Sequence, residues 1–196
     1  MSNSNFIILV DADVISHFIA AGELFELPNI LEPHTVTILD NVYHEVARIQ
    51  SRKTYLDNLV HLLKTIKVIP FPIKNMDVKR EYALIKKNNP LIGDGERACM
   101  AVAKHEKNVI ASSNFKDIIP YCVANKILYL GTLDILAIAL QKQIFDIARC
   151  DKFIVTTKKI NTARYPKHVN SILDYNPKDV SFILGTKPNL LFPKQH

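Results

Sequence analysis

Two observations predict an α/β fold in which a parallel sheet is covered by helices on both faces. Short apolar runs alternate with segments of helical spacing along most of the chain. The first run, Phe6-Ile-Ile-Leu-Val10, is apolar at every position, as a strand buried on both faces must be. Acidic residues then recur just past the ends of these runs, where open α/β sheets collect ligands. Composition agrees: 196 residues, 48% apolar and 22% charged, suit one generous globular domain with a sizeable core.

The first strand stops at Asp11, and Val14, Ile15, Phe18 and Ile19 mark a helix that ends near Gly22. Thr35–Leu39 is the second strand, after which Asn41 is expected to cap a helix carrying Val42, Val46 and Ile49. Helical rhythm continues over 54–66 through Leu56, Leu59, Val60 and Leu63. Val68–Phe71 is a short strand that Pro70 and Pro72 confine to a sheet edge or strand end. A polar-faced helix over 76–87 breaks at Asn89-Pro90. Gly93-Asp94-Gly95 opens the next helix, which includes Ala98 to Ala103. Asn108–Ser112 and Ile127–Leu130 are the remaining strands; helices are expected from about Asn114 to Ala124, from Thr132 to Leu140 and from Phe145 to about Ile160. No internal repeat or convincing linker divides the chain. Residues 1–150 are expected to form the domain, and 151–196 a helical and basic extension packed on it or trailing from it.

The formal net charge of +6 lies entirely in the last 45 residues, where eight Lys and Arg (Lys152 to Lys194) face Asp174 and Asp179. Such a segment suits contact with a polyanion such as RNA; the alternative is a solvated basic tail. Cys99, Cys122 and Cys150 are odd in number and widely spaced, which disfavours a disulfide framework or a cysteine-rich zinc site. No apolar run approaches the ~20 residues needed to span a bilayer, and Asp11 interrupts the first one before it could serve as a secretory signal. A cytoplasmic protein with no membrane contact is expected.

Asp11 ends the first strand and Asp13 follows two residues later. Glu45 lies one turn into the helix after the second strand. Asp94 and Glu96 sit in the first turn of the Gly-Asp-Gly-Glu helix, and Asp117 follows the strand that ends at Ser112. Carboxylates gathered in one cleft repel one another unless a hard cation neutralises them, so the set is a candidate Mg²⁺ or Mn²⁺ site. Each acid also has a local alternative: Asp13 or Asp94 as helix caps, Glu96 and Asp117 as partners of helix dipoles, Glu45 as a surface acid. Asp11 is hardest to explain that way, since an unpaired carboxylate closing a buried strand is costly.

Five segments in order then resemble one family. Ile8-Leu-Val-Asp11-Ala-Asp13-Val-Ile and Leu39-Asp-Asn-Val-Tyr-His-Glu45-Val look like the opening of a PIN domain. Gly95-Glu96-Arg-Ala-Cys-Met-Ala-Val-Ala103 resembles the Gly-Glu variant of its third motif. Val109-Ile-Ala-Ser-Ser113-Asn114 and Tyr129-Leu-Gly-Thr-Leu-Asp134 resemble its later strand and the Gly-Thr-Leu helix start. The resemblance spans about residues 6 to 150. It implies a three-layer α/β/α sandwich with a central parallel sheet and metal-dependent ribonuclease activity, as in the VapC-like toxins of toxin–antitoxin pairs. By position it implies Asp11, Glu45 and Glu96 as metal-binding acids, with Asp13 where Asn or Ser is common. A cognate antitoxin and a homodimer are also implied.

Many members place Asp where this chain has Ser113 and Asn114. Asp117 is the expected substitute, which would make Asp11, Glu45, Glu96 and Asp117 the catalytic set, with Asp13 and Asp94 as further metal ligands. Ser16, Ser113, Asn114 and Thr132 would orient ligands or a bound water. Two other readings compete. The altered fourth position admits a catalytically silent PIN-like module that binds RNA or protein. A strand followed by Asp-x-Asp also opens a haloacid-dehalogenase-type phosphatase, but Ile127–Leu130 leads to Gly131-Thr132 and not to the paired acids that scheme needs. The histidines lack zinc-ligand spacing and are expected mostly on surfaces or helix faces, with Cys99 and Cys122 in the core.

Overall fold

The structure, a computed structural model, describes residues 6–160, 163–177 and 180–184. Five strands, β1 (Ile7–Val10), β2 (Thr35–Leu39), β3 (Lys67–Ile69), β4 (Val109–Ala111) and β5 (Tyr129–Leu130), form one sheet in the order β3-β2-β1-β4-β5. Every pairing is parallel, with Ile8 opposite both Val36 and Val109. Ile8, Leu9 and Val10 are fully buried, which is why the central strand carries no polar residue until Asp11. Parallel neighbours require crossovers, and helices on both faces supply them. The result is the α/β/α sandwich expected from the alternation of strands and helices.

The helices are α1 (Ala12–Ala21), α2 (Leu27–Leu31), α3 (Asp40–Ala47), α4 (Gln50–Asp57), α5 (Met76–Asn88), α6 (Asp94–Glu106), α7 (Phe115–Asn125), α8 (Thr132–Gln141), α9 (Ile147–Lys159) and α10 (Ser181–Leu184). Asp11 holds the N-cap of α1 in extended geometry and accepts the Ala12 amide, so Asp13 is not the cap. Gly22, at φ 76°, takes the left-handed turn that closes the same helix. Asn41 does not cap α3, which already begins at Asp40; its side chain instead reaches across to Asp94. Nor does Asp94 cap α6, whose N-cap is Gly93 without a side-chain bond. The sequence reading also passes over 24–31, where a 3₁₀ turn (Leu24–Glu26) leads into α2. Pro28 obscures this segment, although the first turn of a helix tolerates proline. β3 ends at Ile69 because Pro70 offers no amide to the ladder, and it lies on the sheet edge as expected.

β1 lies between β2 and β4, so the chain winds outward to one side through β2 and β3 and to the other through β4 and β5. The carboxyl ends of β1 and β4 therefore face a topological switch point, where the loops diverge and leave a crevice. α6 returns the chain to the start of β4, which places its first turn at that same carboxyl edge. Asp11, Glu96 and the Ser112–Asn114 turn meet there by topology.

The described residues after α8 pack on the body of the protein. Phe153 meets Phe18 edge-on at 4.9 Å between ring centroids and fixes α9 against α1. Further on, Val169, Ile172, Val180 and Ile183 are buried in the same core. Tyr175 Oη donates to the fully buried Asp134 Oδ1 at 2.7 Å. Tyr175→Phe removes that donor from a buried carboxylate and is expected to lower stability by ~1–3 kcal/mol, measured by urea unfolding of the full chain. The basic residues Lys178, Lys187 and Lys194, and Asp179 beside them, lie outside the described residues. Among the described residues no helix is long and apolar enough to cross a membrane.

Candidate active site

Asp11 Oδ1 is held by the Ala12 amide at 2.8 Å, and Oδ2 accepts from Ser112 Oγ at 3.3 Å. Asp13 Oδ1 accepts the Val14 amide at 2.6 Å, and its Oδ2 accepts the Ser113 amide at 2.7 Å. Those bonds tie the start of α1 to the turn after β4. Ser113 Oγ meets Thr132 Oγ1 at 2.6 Å, and Thr132 Oγ1 in turn meets His17 Nδ1 at 2.8 Å. A continuous hydrogen-bonded rail thus runs from Asp13 through the turn to His17. His44, His61, His105 and His168 are exposed, as expected of most of the histidines, whereas His17 on α1 and His34 are buried. Only the fold, which joins α1 to α8 across 115 residues, reveals the role of His17.

Glu96 enters from α6. Its Oε2 accepts from Asn114 Nδ2 at 2.9 Å, and the same amide nitrogen donates to Asp117 Oδ2 at 2.9 Å. Asn114 therefore stands between Glu96 and Asp117, bridging two carboxylates with a neutral donor. Asn89 Nδ2 holds the other Asp117 oxygen at 3.2 Å. Glu96 Oε1 is buried and has no hydrogen-bond partner among the described residues. Glu45 extends from α3 and is exposed. An ideal Cβ on Gly95 would lie 3.0 Å from Val42 Cγ2 and 3.1 Å from Glu45 Oε2, so glycine at this position lets α3 carry Glu45 close to the start of α6.

These acids also bear on one another's protonation. Burial holds the Asp11 carboxyl well above its ordinary range, and Asp13, Glu96 and Glu45 push it further in the same direction. Burial likewise raises Asp13, although His17 and the Ser113 and Val14 amides oppose the shift. Glu96 is pushed up to about 7, first by burial and then by Asp13, Asp117 and Glu45, against the bond from Asn114. The Cys99 thiol beneath them is raised by burial and by the same acids, which makes it inert packing and no nucleophile. Glu96 is thus within charge range of Asp11, Asp13, Glu45 and Asp117, and Asp11 within range of Asp13, Glu45 and Glu96.

Asp94 and Ser16 stand apart from this group. Asp94 is engaged by Tyr82, Asn41 and Arg97, and Tyr82 and Asn41 hold its carboxyl below the usual range. Ser16 Oγ accepts from Arg52 Nη1 at 3.1 Å, which places a guanidinium on the face of α1 that also carries Asp13. Arg52 and Tyr165 escape sequence reasoning for the same reason as His17. Tyr165, from the segment after α9, lies edge-on to the His17 ring at 6.3 Å. Among the described residues no three His, Cys, Asp or Glu side chains form a ready cage for a metal ion as they stand. The fit to a cation rests instead on the donor chemistry: hard carboxylate oxygens, mutual repulsion, and one buried oxygen without a donor.

No protein-family model and no curated protein sequence matches the chain. Among solved structures, similarity is found to VapBC2 from Rickettsia felis bound to a DNA fragment from their promoter, at 14% identity and TM-score 0.47, covering 64% of this chain and 98% of that one. FitAcB from Neisseria gonorrhoeae aligns at 19% identity and TM-score 0.44, over 64% of this chain and 97% of its own. VapBC-1 from nontypeable Haemophilus influenzae aligns at 15% and 0.45, over 64% and 98%.

Proposed function

We propose that the protein is a metal-dependent endoribonuclease that hydrolyses RNA phosphodiesters at the carboxyl edge of its sheet. The observation that carries this reading is the buried, partnerless Oε1 of Glu96 beside the desolvated carboxyl of Asp11, in a group of acids that raise one another's pKa. So expensive an arrangement is accounted for by a cation that neutralises it. Asp11, Glu96 and Glu45 would hold Mg²⁺ or Mn²⁺, with Asp13 and Asp117 at its margin. A divalent ion so held supplies an activated water and offsets charge on the phosphoryl oxygens. Asp13 and Thr132 fix the turn after β4, Asn114 holds Glu96 through a hydrogen bond, and Arg52, bonded to Ser16, would meet a phosphate. The sequence resemblance adds the role of a toxin restrained by an antitoxin protein.

Incubation with structured and single-stranded RNA tests the reading. Cleavage is expected with Mg²⁺ or Mn²⁺ and none in EDTA, with RNA affinity falling steeply as salt rises. Cleavage that persists in EDTA would overturn the metal dependence. Absence of both cleavage and divalent-ion binding would favour the silent module, for which the neutral Asn114 at the fourth position speaks.

A further inference from the structure

Behind the turn that follows β4 lies a histidine with no part yet in the chemistry. His17 is buried, and its Nδ1 meets Thr132 Oγ1 at 2.8 Å. Tyr165 lies edge-on to the ring, and Tyr165 Oη meets Thr157 Oγ1 of α9 at 3.0 Å. The imidazole is therefore packed from the C-terminal segment as well as bonded to α8. Asp13 stands four residues earlier on α1, so both side chains lie on one face of that helix. Ser113 and Thr132 bridge the two: Asp13 Oδ2 accepts the Ser113 amide, and Ser113 Oγ meets Thr132 Oγ1.

Hydrogen accounting allows this rail two directions. Thr132 Oγ1 has one hydrogen and two neighbours in bonding range, Ser113 Oγ at 2.6 Å and His17 Nδ1 at 2.8 Å. If Thr132 donates to Nδ1, the Ser113 hydroxyl must donate to Thr132, and its hydrogen is used up inside the rail. If Nδ1 carries a hydrogen, His17 donates to Thr132, and Thr132 donates to Ser113 Oγ, which also accepts the Thr132 amide at 3.2 Å. The Ser113 hydrogen is then left to point away from the rail. Ser113 is half-buried, and among the described residues its Oγ bonds only Thr132. The next residue, Asn114, donates to Glu96, so this turn borders the acidic crevice. The acids select the second direction. Asp13 is within charge range of His17, and a run of donors aimed toward carboxylates is stabilised by their field, whereas the reverse run turns oxygen lone pairs to them.

We infer that His17 is a positioning residue: acting through Thr132, it makes the Ser113 hydroxyl a hydrogen-bond donor at the acidic crevice, where it meets a phosphoryl oxygen of the RNA. What Ser113 meets rests on the nuclease reading; the direction of the rail does not.

Nitrogen-15 NMR of the imidazoles in the full, metal-free chain tests the direction. The His17 signals are picked out from those of seven histidines by their loss in His17→Phe. Nδ1 is expected to carry a hydrogen, and its signal to move in Thr132→Val. An Nδ1 without a hydrogen would overturn the inference whatever the protein does to RNA. Cleavage kinetics with Mg²⁺ read the consequence. His17→Phe keeps a ring against Tyr165 and removes the donor; it is expected to lower kcat by ~10–100-fold, with KM and the Mn²⁺-induced rise in melting midpoint near those of the parent. His17→Asn, whose amide nitrogen falls near the place of Nδ1, is expected to restore kcat to within about threefold of the parent. A packing role predicts the reverse order. Ser113→Ala should cost as much as His17→Phe, and the two combined no more than either alone. Additive losses, or a phenylalanine variant more active than the asparagine one, would overturn the inference. Absence of cleavage by the parent would count against the nuclease reading, and the NMR result would still decide the direction of the rail.

Discussion

Asp11→Asn is expected to abolish metal-dependent RNA cleavage, by ~10²–10³-fold or more, while leaving the metal-free protein at least as stable as the parent. The two effects have one cause. Asp11 is buried, and both desolvation and three neighbouring acids disfavour its charge. Asparagine keeps the cap on the Ala12 amide, since Asn and Asp are nearly equivalent at a helix N-cap. Ser112 Oγ, a donor to Asp11 Oδ2, can rotate and accept from the new amide. The substitution thus removes a disfavoured charge at little structural cost and resembles other stabilising changes at strained functional sites, worth ~0.5–2 kcal/mol. Each kcal/mol corresponds to about 2–4 °C in a chain of this size. Adding Mn²⁺ provides a second readout: it should raise the midpoint of the parent by mass action and leave Asp11→Asn unmoved. A variant that lost stability and kept its Mn²⁺ response would place Asp11 in the scaffold and not in a metal site.

Much of this is legible in the sequence. An apolar run broken by Asp11 reveals both a central strand and its functional end, because a parallel strand covered on two faces excludes polar residues until it leaves the sheet. Strand–helix alternation gave the layers, and Gly-Asp-Gly-Glu marked the start of α6. What stayed hidden depends on contacts between distant segments. His17 is an unremarkable helical histidine until α8 brings Thr132 to it, and Arg52 a surface cation until α4 packs on α1. Asp94 and Glu96 look equivalent as first-turn acids. Two positions apart on a helix is about 200° around it, so Glu96 turns to the crevice and Asp94 to Tyr82 and Asn41. The helical segment over 24–31 was obscured because Pro28 reads as a breaker from sequence alone and as a first-turn residue only once the helix is seen.

The fourth acidic position allows the sharpest test of how the site manages its charge. Asn114→Asp is expected to destabilise the metal-free protein by ~1–3 kcal/mol and to make its stability far more dependent on Mn²⁺ than that of the parent. Asn114 Nδ2 lies 2.9 Å from both Glu96 Oε2 and Asp117 Oδ2. A carboxylate there replaces a donor shared by two anions with a third anion at the same distance. Glu96, already pushed up to about 7, would lose the one neighbour that lowers it. Only a cation, or protonation of one of the three, relieves that repulsion. With Mn²⁺ absent the midpoint should fall; with Mn²⁺ present it should recover to near the parent value, and the apparent metal affinity should rise as the donor set gains a hard oxygen. Should the variant fall in stability and fail to respond to Mn²⁺, the crevice would be a strained polar core and not a cation site. The same titration on Asn114→Leu, which removes the bridge without adding charge, separates loss of the hydrogen bonds from gain of the anion: both variants should lose stability, and only the aspartate should regain it with metal.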